Sequence, residues 1–250
     1  MTDITASIIV IGDEILSGRT KDKNIGYIAE LLTKIGVNVM EVRVVPDKEE
    51  KIINTLNQLR KEYTYVLTTG GIGPTHDDIT ADCVAKAFNV EISENNEAIK
   101  MLLERIPLKD LNDSRRRMAR IPHGAKLIEN SVSKAPGFQI GNVFVMAGVP
   151  TVMQAMLDVI IKRMETGQKL FSCNILTDIK EGDIADILRS IQGRTETVSI
   201  GSYPYYNDND NGYGANIVCR GKNIDELKSI ASIIKNDLSE IGNVEIGEIL

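Results

Sequence analysis

The chain has no tryptophan, four phenylalanines and three cysteines in 250 residues. Cys83, Cys173 and Cys219 lie far apart in sequence and none belongs to a C-x-x-C pair. That spacing argues against a zinc motif or a disulfide framework and makes reduced thiols the default. Positive charge is also short: 29 Lys and Arg stand against 35 Asp and Glu, a formal net charge of −6. No global basic field exists for nucleic acid. No apolar run approaches the roughly 18 residues of a membrane span, and no basic segment with an apolar stretch and cleavage site opens the chain. Internal repeats and low-complexity tracts are missing too. With 42% hydrophobic residues, the profile is that of a soluble protein expected in the cytoplasm, without membrane or nucleic-acid partners. Its length allows one good-sized domain plus a small one.

What is present is organised around Thr68-Thr69-Gly70-Gly71-Ile72-Gly73-Pro74-Thr75-His76-Asp77-Asp78-Ile79-Thr80. Tyr65–Thr68 before it reads as a buried strand. Ala81, Val84, Ala85 and Phe88 after it form the apolar stripe of a helix, with Thr80 as the expected N-cap and Asp82 in the first turn. Glycines between a strand's C-terminal end and a helix N-terminus mark the ligand edge of an open α/β sheet. Gly70, Gly71 and Gly73 let backbone amides approach phosphate oxygens. Asp77 and Asp78 alone would repel a phosphate, so their presence there points to a hard divalent cation between them and the ligand. His76 reads either as a general base or as an exposed loop residue.

Upstream, Ser7–Ile11 is a continuous apolar run, expected of a central parallel strand, and ends in Gly12-Asp13-Glu14. Asn24 is a plausible N-cap for a helix on Ile25, Ile28, Leu32 and Ile35, which Gly36 ends. Val37–Val45 reads as the next strand, and Asp47 with Glu50 as a capping box for a helix bearing Ile52, Leu56 and Leu59. Three acid-bearing turns, at Glu14, Asp47 and Asp77-Asp78, therefore each follow a strand and should gather at one sheet edge. The alternation of strand and helix predicts an α/β fold, a doubly wound, mostly parallel sheet. Val90–Gly124 is polar and helical in tone. Its Arg115-Arg116-Arg117 and Arg120 read either as a solvated helix face or as a phosphate clamp. Val143–Met146 and a helix from Val152 to Ile160 follow a turn at Lys134–Phe138. A linker at Glu165–Gln168 separates residues 1–166 from a smaller α+β domain, 167–250. There the reading is strand 170–176, helix 183–191, strands 197–202 and 215–220, helix 225–241, with a tyrosine-rich loop at Tyr203–Gly214 as a hairpin connection, subunit contact or base-stacking element.

Gly12-Asp13-Glu14-Ile15-Leu16-Ser17-Gly18, Thr69–Thr80, Ala135-Pro136-Gly137-Phe138 and Gly148-Val149-Pro150 occur in this order. Together they resemble the molybdopterin-binding-like (MoaB/Mog) domain in its competence/damage-inducible protein A (CinA) branch. The resemblance covers roughly residues 5–165, and residues 168–250 resemble the small domain that follows it. It implies a three-layer MoaB/Mog-like fold, a homodimer and a divalent-metal-dependent (Mg²⁺, Mn²⁺ or Co²⁺) pyrophosphatase acting on ADP-ribose, FAD or coenzyme A. Larger members carry a nicotinamide-nucleotide amidohydrolase domain that this sequence, ending at Leu250, does not show, so deamidase activity is not expected. Residue by residue, the resemblance implies metal at Glu14, Asp47 and Asp78, with Gly70, Gly71 and Gly73 at the phosphates. Asp22 and Asn24 match the polar pair heading the first helix. The expected site thus has Asp78, Asp77 and His76 as catalytic groups, and Thr75, Arg116 and Lys134 with the glycines on substrate. Ser133-Lys134 and Val152 depart from the family's usual Gly-Thr and Glu. Those departures motivate the alternative of a protein that binds molybdopterin or a nucleotide, or adenylates the pterin, in molybdenum-cofactor synthesis.

Overall fold

The Ser7–Ile11 run sits mid-sheet because both of its faces are apolar. In the computed structural model, which describes residues 3–207 and 212–249, β1 (Thr5–Ile11) sends Ala6, Ile8 and Val10 to one face and Ile9 and Ile11 to the other. All five are buried. Cα proximity divides the chain into two units, Met1–Gly167 and Gln168–Leu250.

In the first unit, β1 is followed by α1 (Asp13–Leu16), α2 (Ile25–Lys34), β2 (Asn38–Val45), α3 (Glu49–Glu62), β3 (Tyr65–Thr69) and α4 (Thr80–Phe88). Then come β4 (Ile92–Glu94), α5 (Asn96–Leu103), α6 (Asp113–Arg116), β5 (Arg120–Pro122), β6 (Lys126–Ile128), β7 (Gly137–Ile140), β8 (Val143–Met146) and α7 (Pro150–Ile160). The main sheet has the order β2-β1-β3-β8-β7-β6. Its first four strands are parallel, and β7 and β6 return antiparallel to their neighbours. Alternation along β1 and β8 feeds two cores. Ile52, Leu56, Leu59 and Val84 of α3 and α4 pack with Ile9, Val143 and Val145. Ile28, Leu32, Met153, Met156 and Leu157 of α2 and α7 pack with Ile8, Phe144 and Met146 on the opposite face. The result is the expected three-layer α/β arrangement.

Two helix starts differ from the sequence reading. Thr80 is the first helical residue, Ile79 occupies the cap position, and no side chain caps α4. Lys48, not Asp47, precedes α3, again without a side-chain cap. In both cases the polar side chain has a tertiary partner that outcompetes the local amide, as described below. The Val90–Gly124 segment is only partly helical, because β4 and β5 pair as a small antiparallel ribbon. Arg120 fastens it to α4 through two hydrogen bonds to the Asp82 carboxylate, at 2.9 and 2.6 Å.

The second unit runs β9 (Phe171–Thr177), α8 (Glu181–Gln192), β10 (Val198–Asn207), β11 (Gly212–Gly221), α9 (Ile224–Ser239) and β12 (Val244–Ile249). Its antiparallel sheet has the order β10-β11-β9-β12, a β-α-β-β-α-β unit. Ile184, Leu188, Leu227 and Ile234 of the helices pack on Ile175 and Ile217 of the sheet. Tyr203, Tyr205 and Tyr206 belong to β10 and Tyr213 to β11, so the expected loop is largely a hairpin of paired strands. Asp208–Asn211 lie outside the described residues. The sequence reading missed β12, whose half-exposed pattern Val244-Glu245-Ile246 carries little apolar signal. Asp178 secures its start, accepting from the Asn243 backbone at 2.9 Å and from Asn243 Nδ2 at 2.6 Å. Those bonds hold the Asp178 carboxyl below its ordinary value of 3.8. A depressed native pKa supplies stability that is present above 3.8 and lost as pH falls through the native value. The expected result is that Asp178→Asn flattens the acid limb of the stability–pH curve below that value, read by urea midpoints across pH.

Candidate functional site

The three acid-bearing turns meet as the parallel register requires. Glu14, Asp47, Asp77 and Asp78 all line one cleft of about 600 Å³ with Gly12, Thr20, Gly70–Pro74, Met118, Ser133, Ala135 and Ala147–Pro150. Each turn leaves the C-terminal end of a parallel strand, β1, β2 or β3, and β8 contributes the fourth wall.

Glycine is required where these ends touch. Gly70 has φ +103°, and a Cβ there would lie 2.1 Å from the Ile11 carbonyl oxygen. Gly71 has φ +68°, and its Cβ would lie 2.1 Å from Thr80 Oγ1. Thr80 is buried at this point and donates its hydroxyl to Gly70 O at 3.0 Å and its amide to Gly71 O at 2.9 Å. It therefore locks the turn onto α4 instead of capping the helix. The Gly70 amide donates to Met146 O at 3.1 Å. Among the described residues the amides of Gly71, Ile72 and Gly73 have no partner, so these donors, rather than that of Gly70, are free for an anion.

The acids are unequal. Asp47 accepts from the Asp13 amide at 2.9 Å, which is why it does not cap α3. Burial raises the Asp47 carboxyl above its ordinary value, the Asp13 bond opposes that, and the charges of Asp13, Glu14 and Asp77 raise it further. Asp78 Oδ2 accepts from Thr75 N at 2.8 Å and from Thr75 Oγ1 at 2.5 Å. The Thr75 hydroxyl also holds the neighbouring Asp77 carboxyl below its usual value. Thr75 thus spends both donors on the loop's own acids. His76 is exposed at the tip of this loop and does not line the cleft.

The remaining predicted residues, Asp22, Asn24, Arg116 and Lys134, are not in the lining of the cleft. Asp22 Oδ1 accepts from the amides of Asn24 and Ile25 at 3.1 and 2.8 Å, doing the capping assigned to Asn24. Asn24 is buried and donates through Nδ2 to Gly148 O at 2.8 Å, bracing α2 against the β8 turn. Arg116 bonds Glu94 at 3.0 Å. Lys134, with φ +63°, bonds Glu104 at 2.6 Å. From the arginine run it is Arg117 that reaches the site loop, donating through Nη2 to Asp78 O at 3.1 Å. Four closely spaced arginines gave no sequence signal to separate it from its neighbours.

Hard oxygen donors of this kind suit a Mg²⁺-type ion. Among the described residues, however, no three His, Cys, Asp or Glu side chains form a set that could hold a metal by themselves. The donor chemistry fits an ion shared between one or two carboxylates and ligand phosphates, the usual mode for Mg²⁺.

Comparison with known proteins agrees with this architecture. Residues 7–166 match the family described as "Probable molybdopterin binding domain". Residues 169–245 match the family "FAD synthase, middle domain". A protein from Archaeoglobus fulgidus is 35% identical over 79% of this chain and 84% of its own length. A protein described as "Probable FAD synthase" from Caenorhabditis briggsae is 32% identical over 80% of this chain but 43% of its own length. The crystal structure of the protein CinA "with unknown function" from Thermoplasma acidophilum aligns at TM-score 0.61 and 34% identity, covering 65% of this chain and 99% of that one. The chain therefore belongs to the molybdopterin-binding (MoaB/Mog-like) domain family, as a CinA-like member whose second unit is similar to the FAD synthase middle domain.

Proposed function

We propose that the first unit binds a nucleotide diphosphate compound in the acid-lined cleft and hydrolyses its phosphoric anhydride, as a divalent-metal-dependent pyrophosphatase. One observation carries this reading: Glu14, Asp47, Asp77 and Asp78, from three successive strand ends, line the same cleft as the free amides of Gly71–Gly73. The amides suit the anionic oxygens of the diphosphate. The crowded carboxylates, with Asp47 pushed up by burial and by its neighbours, are a site whose repulsion a cation relieves. One or two of Glu14, Asp47 and Asp78 would share that ion with the ligand phosphates, and when bound it would supply Lewis-acid polarisation of the phosphoryl oxygens. Thr75 and Arg117 keep the Asp78 loop in place from two sides.

The bond broken is P–O–P and the products are two phosphate monoesters, for example AMP and ribose 5-phosphate from ADP-ribose or AMP and FMN from FAD. Likeness of the second unit to an FAD-synthase domain supports including FAD among the substrates. The test is to incubate purified chain with ADP-ribose, FAD and coenzyme A separately, with Mg²⁺, Mn²⁺ or Co²⁺, and to separate the products chromatographically. Metal-dependent AMP or adenosine 3′,5′-bisphosphate is the expected result. The second reading, a nucleotide- or molybdopterin-binding protein without turnover, is favoured by the lack of a three-ligand metal set among the described residues. It predicts micromolar binding by calorimetry and no product over hours.

A further inference from the structure

The register of the second sheet joins two cysteines that the sequence keeps far apart. β9 and β11 are antiparallel neighbours, and Cys173 is directly opposite Cys219. Both are fully buried on the helix-covered face, in one core with Ile175 and Ile217, and both are free thiols. Directly opposed residues in an antiparallel pair have Cα atoms about 4.5–5.5 Å apart. Disulfides span Cα separations of about 4.4–6.8 Å, so no backbone rearrangement is needed to join them. Cys83, the third cysteine, is buried in the first unit among Ile52 and Val84, in a core that contains no other cysteine.

We propose that Cys173 and Cys219 form a two-electron redox pair that closes into a cross-strand disulfide when β9 and β11 part, or before they pair, in the presence of a low-molecular-weight disulfide. One cysteine thiolate attacks a sulfur of the small disulfide, releasing one small thiol and leaving a mixed disulfide on the protein. The opposing thiolate attacks the protein-side sulfur of that adduct, forming the Sγ–Sγ bond and expelling the second small thiol. The two cysteines lose two electrons and two protons, and the small disulfide is reduced to two thiols. In the closed sheet burial raises both thiols, Cys219 to about 12 with Cys173 adding to it. Thiolate is then scarce and the pair stays reduced while the unit is folded.

The test is a thiol map of the full chain. One sample is held native with oxidised glutathione, and another is unfolded in urea and refolded in the same reagent. Both are then alkylated and digested. The expected refolded product links the Cys173 and Cys219 peptides, two hydrogens lighter, with Cys83 outside the bridge, alkylated or carrying one glutathione, while the native sample keeps three thiols over the same time. In Cys219→Ser, a glutathione adduct on Cys173 should persist unresolved. Three alkylated cysteines after refolding, glutathione adducts without closure in the unmodified sequence, or a bridge to Cys83 would overturn the proposal. Closure of the native sample as fast as the refolding one would remove the gating by sheet opening.

Discussion

Gly70→Ala is expected to destabilise the chain by about 3 kcal/mol or more, since overpacking costs roughly 1–3 kcal/mol and a left-handed backbone about 1–2 more for an L-residue. Gly70 sits where the ends of β1, β3 and β8 converge. A methyl group there would stand 2.1 Å from Ile11 O, a backbone atom that cannot rotate away. To relieve the clash, β3 must separate from β1, and the Gly70 N–Met146 O bond at 3.1 Å and the Thr80 Oγ1–Gly70 O bond at 3.0 Å go with it. Urea or thermal unfolding reads the loss directly. Gly26→Ala supplies the contrast. Gly26 lies in α2 with nothing within 4 Å of the added methyl, and alanine in a helix gains about 0.5–1 kcal/mol over glycine. Equal midpoints for Gly70→Ala and the unchanged protein would refute the close approach of these strands.

Asp78→Asn and Asp47→Asn are each expected to lower metal-dependent hydrolysis about 10³-fold, roughly 4 kcal/mol of transition-state stabilisation. Both substitutions keep an acceptor oxygen on a side chain of nearly the same size. At position 47 the new amide oxygen can still accept from the Asp13 backbone, and at position 78 it can still accept from Thr75. The loops therefore keep their local bonds, and only the negative charge is removed. A loss in turnover with unchanged unfolding midpoint reads the charge and not the fold. Retention of near-unchanged metal-dependent hydrolysis in both variants would exclude these carboxylates from the reaction. If the unchanged protein yields no product, the variants are instead compared for nucleotide affinity in Mg²⁺ and in chelator, where loss of a shared cation weakens binding.

The individual roles around the cleft were less legible than the cleft. Thr80, Asp47 and Asn24 each look like N-caps in the sequence, because their side chains suit that position. The structure gives each a partner from another segment: Gly70 O, the Asp13 amide and Gly148 O. For Thr80 and Asp47 a cap is a local bond of modest net value, and a buried polar atom left unpaired costs more, so the tertiary partner wins. Asn24 differs, because Asp22 already accepts from the first amides of α2 and the Asn24 Oδ1 is left buried without a partner. The arginine run behaves the same way. Arg116 is held by Glu94, Arg120 by Asp82 and Arg117 by Asp78 O, although nothing in the run itself distinguishes them.

By itself the sequence determined the layering of the first unit and the edge at which its acids gather. Ser7–Ile11 is apolar on both faces, which demands cover from two helical layers, and each Gly- or acid-bearing turn follows a strand. Those are consequences of periodicity and local backbone chemistry, which adjacent residues carry. Only the tertiary structure decided which amides of the glycine turn are free, which arginine reaches Asp78, and that Cys173 faces Cys219. Each depends on the register or packing of segments remote in sequence, and register is set by the fit of whole faces against one another, not by any residue read alone.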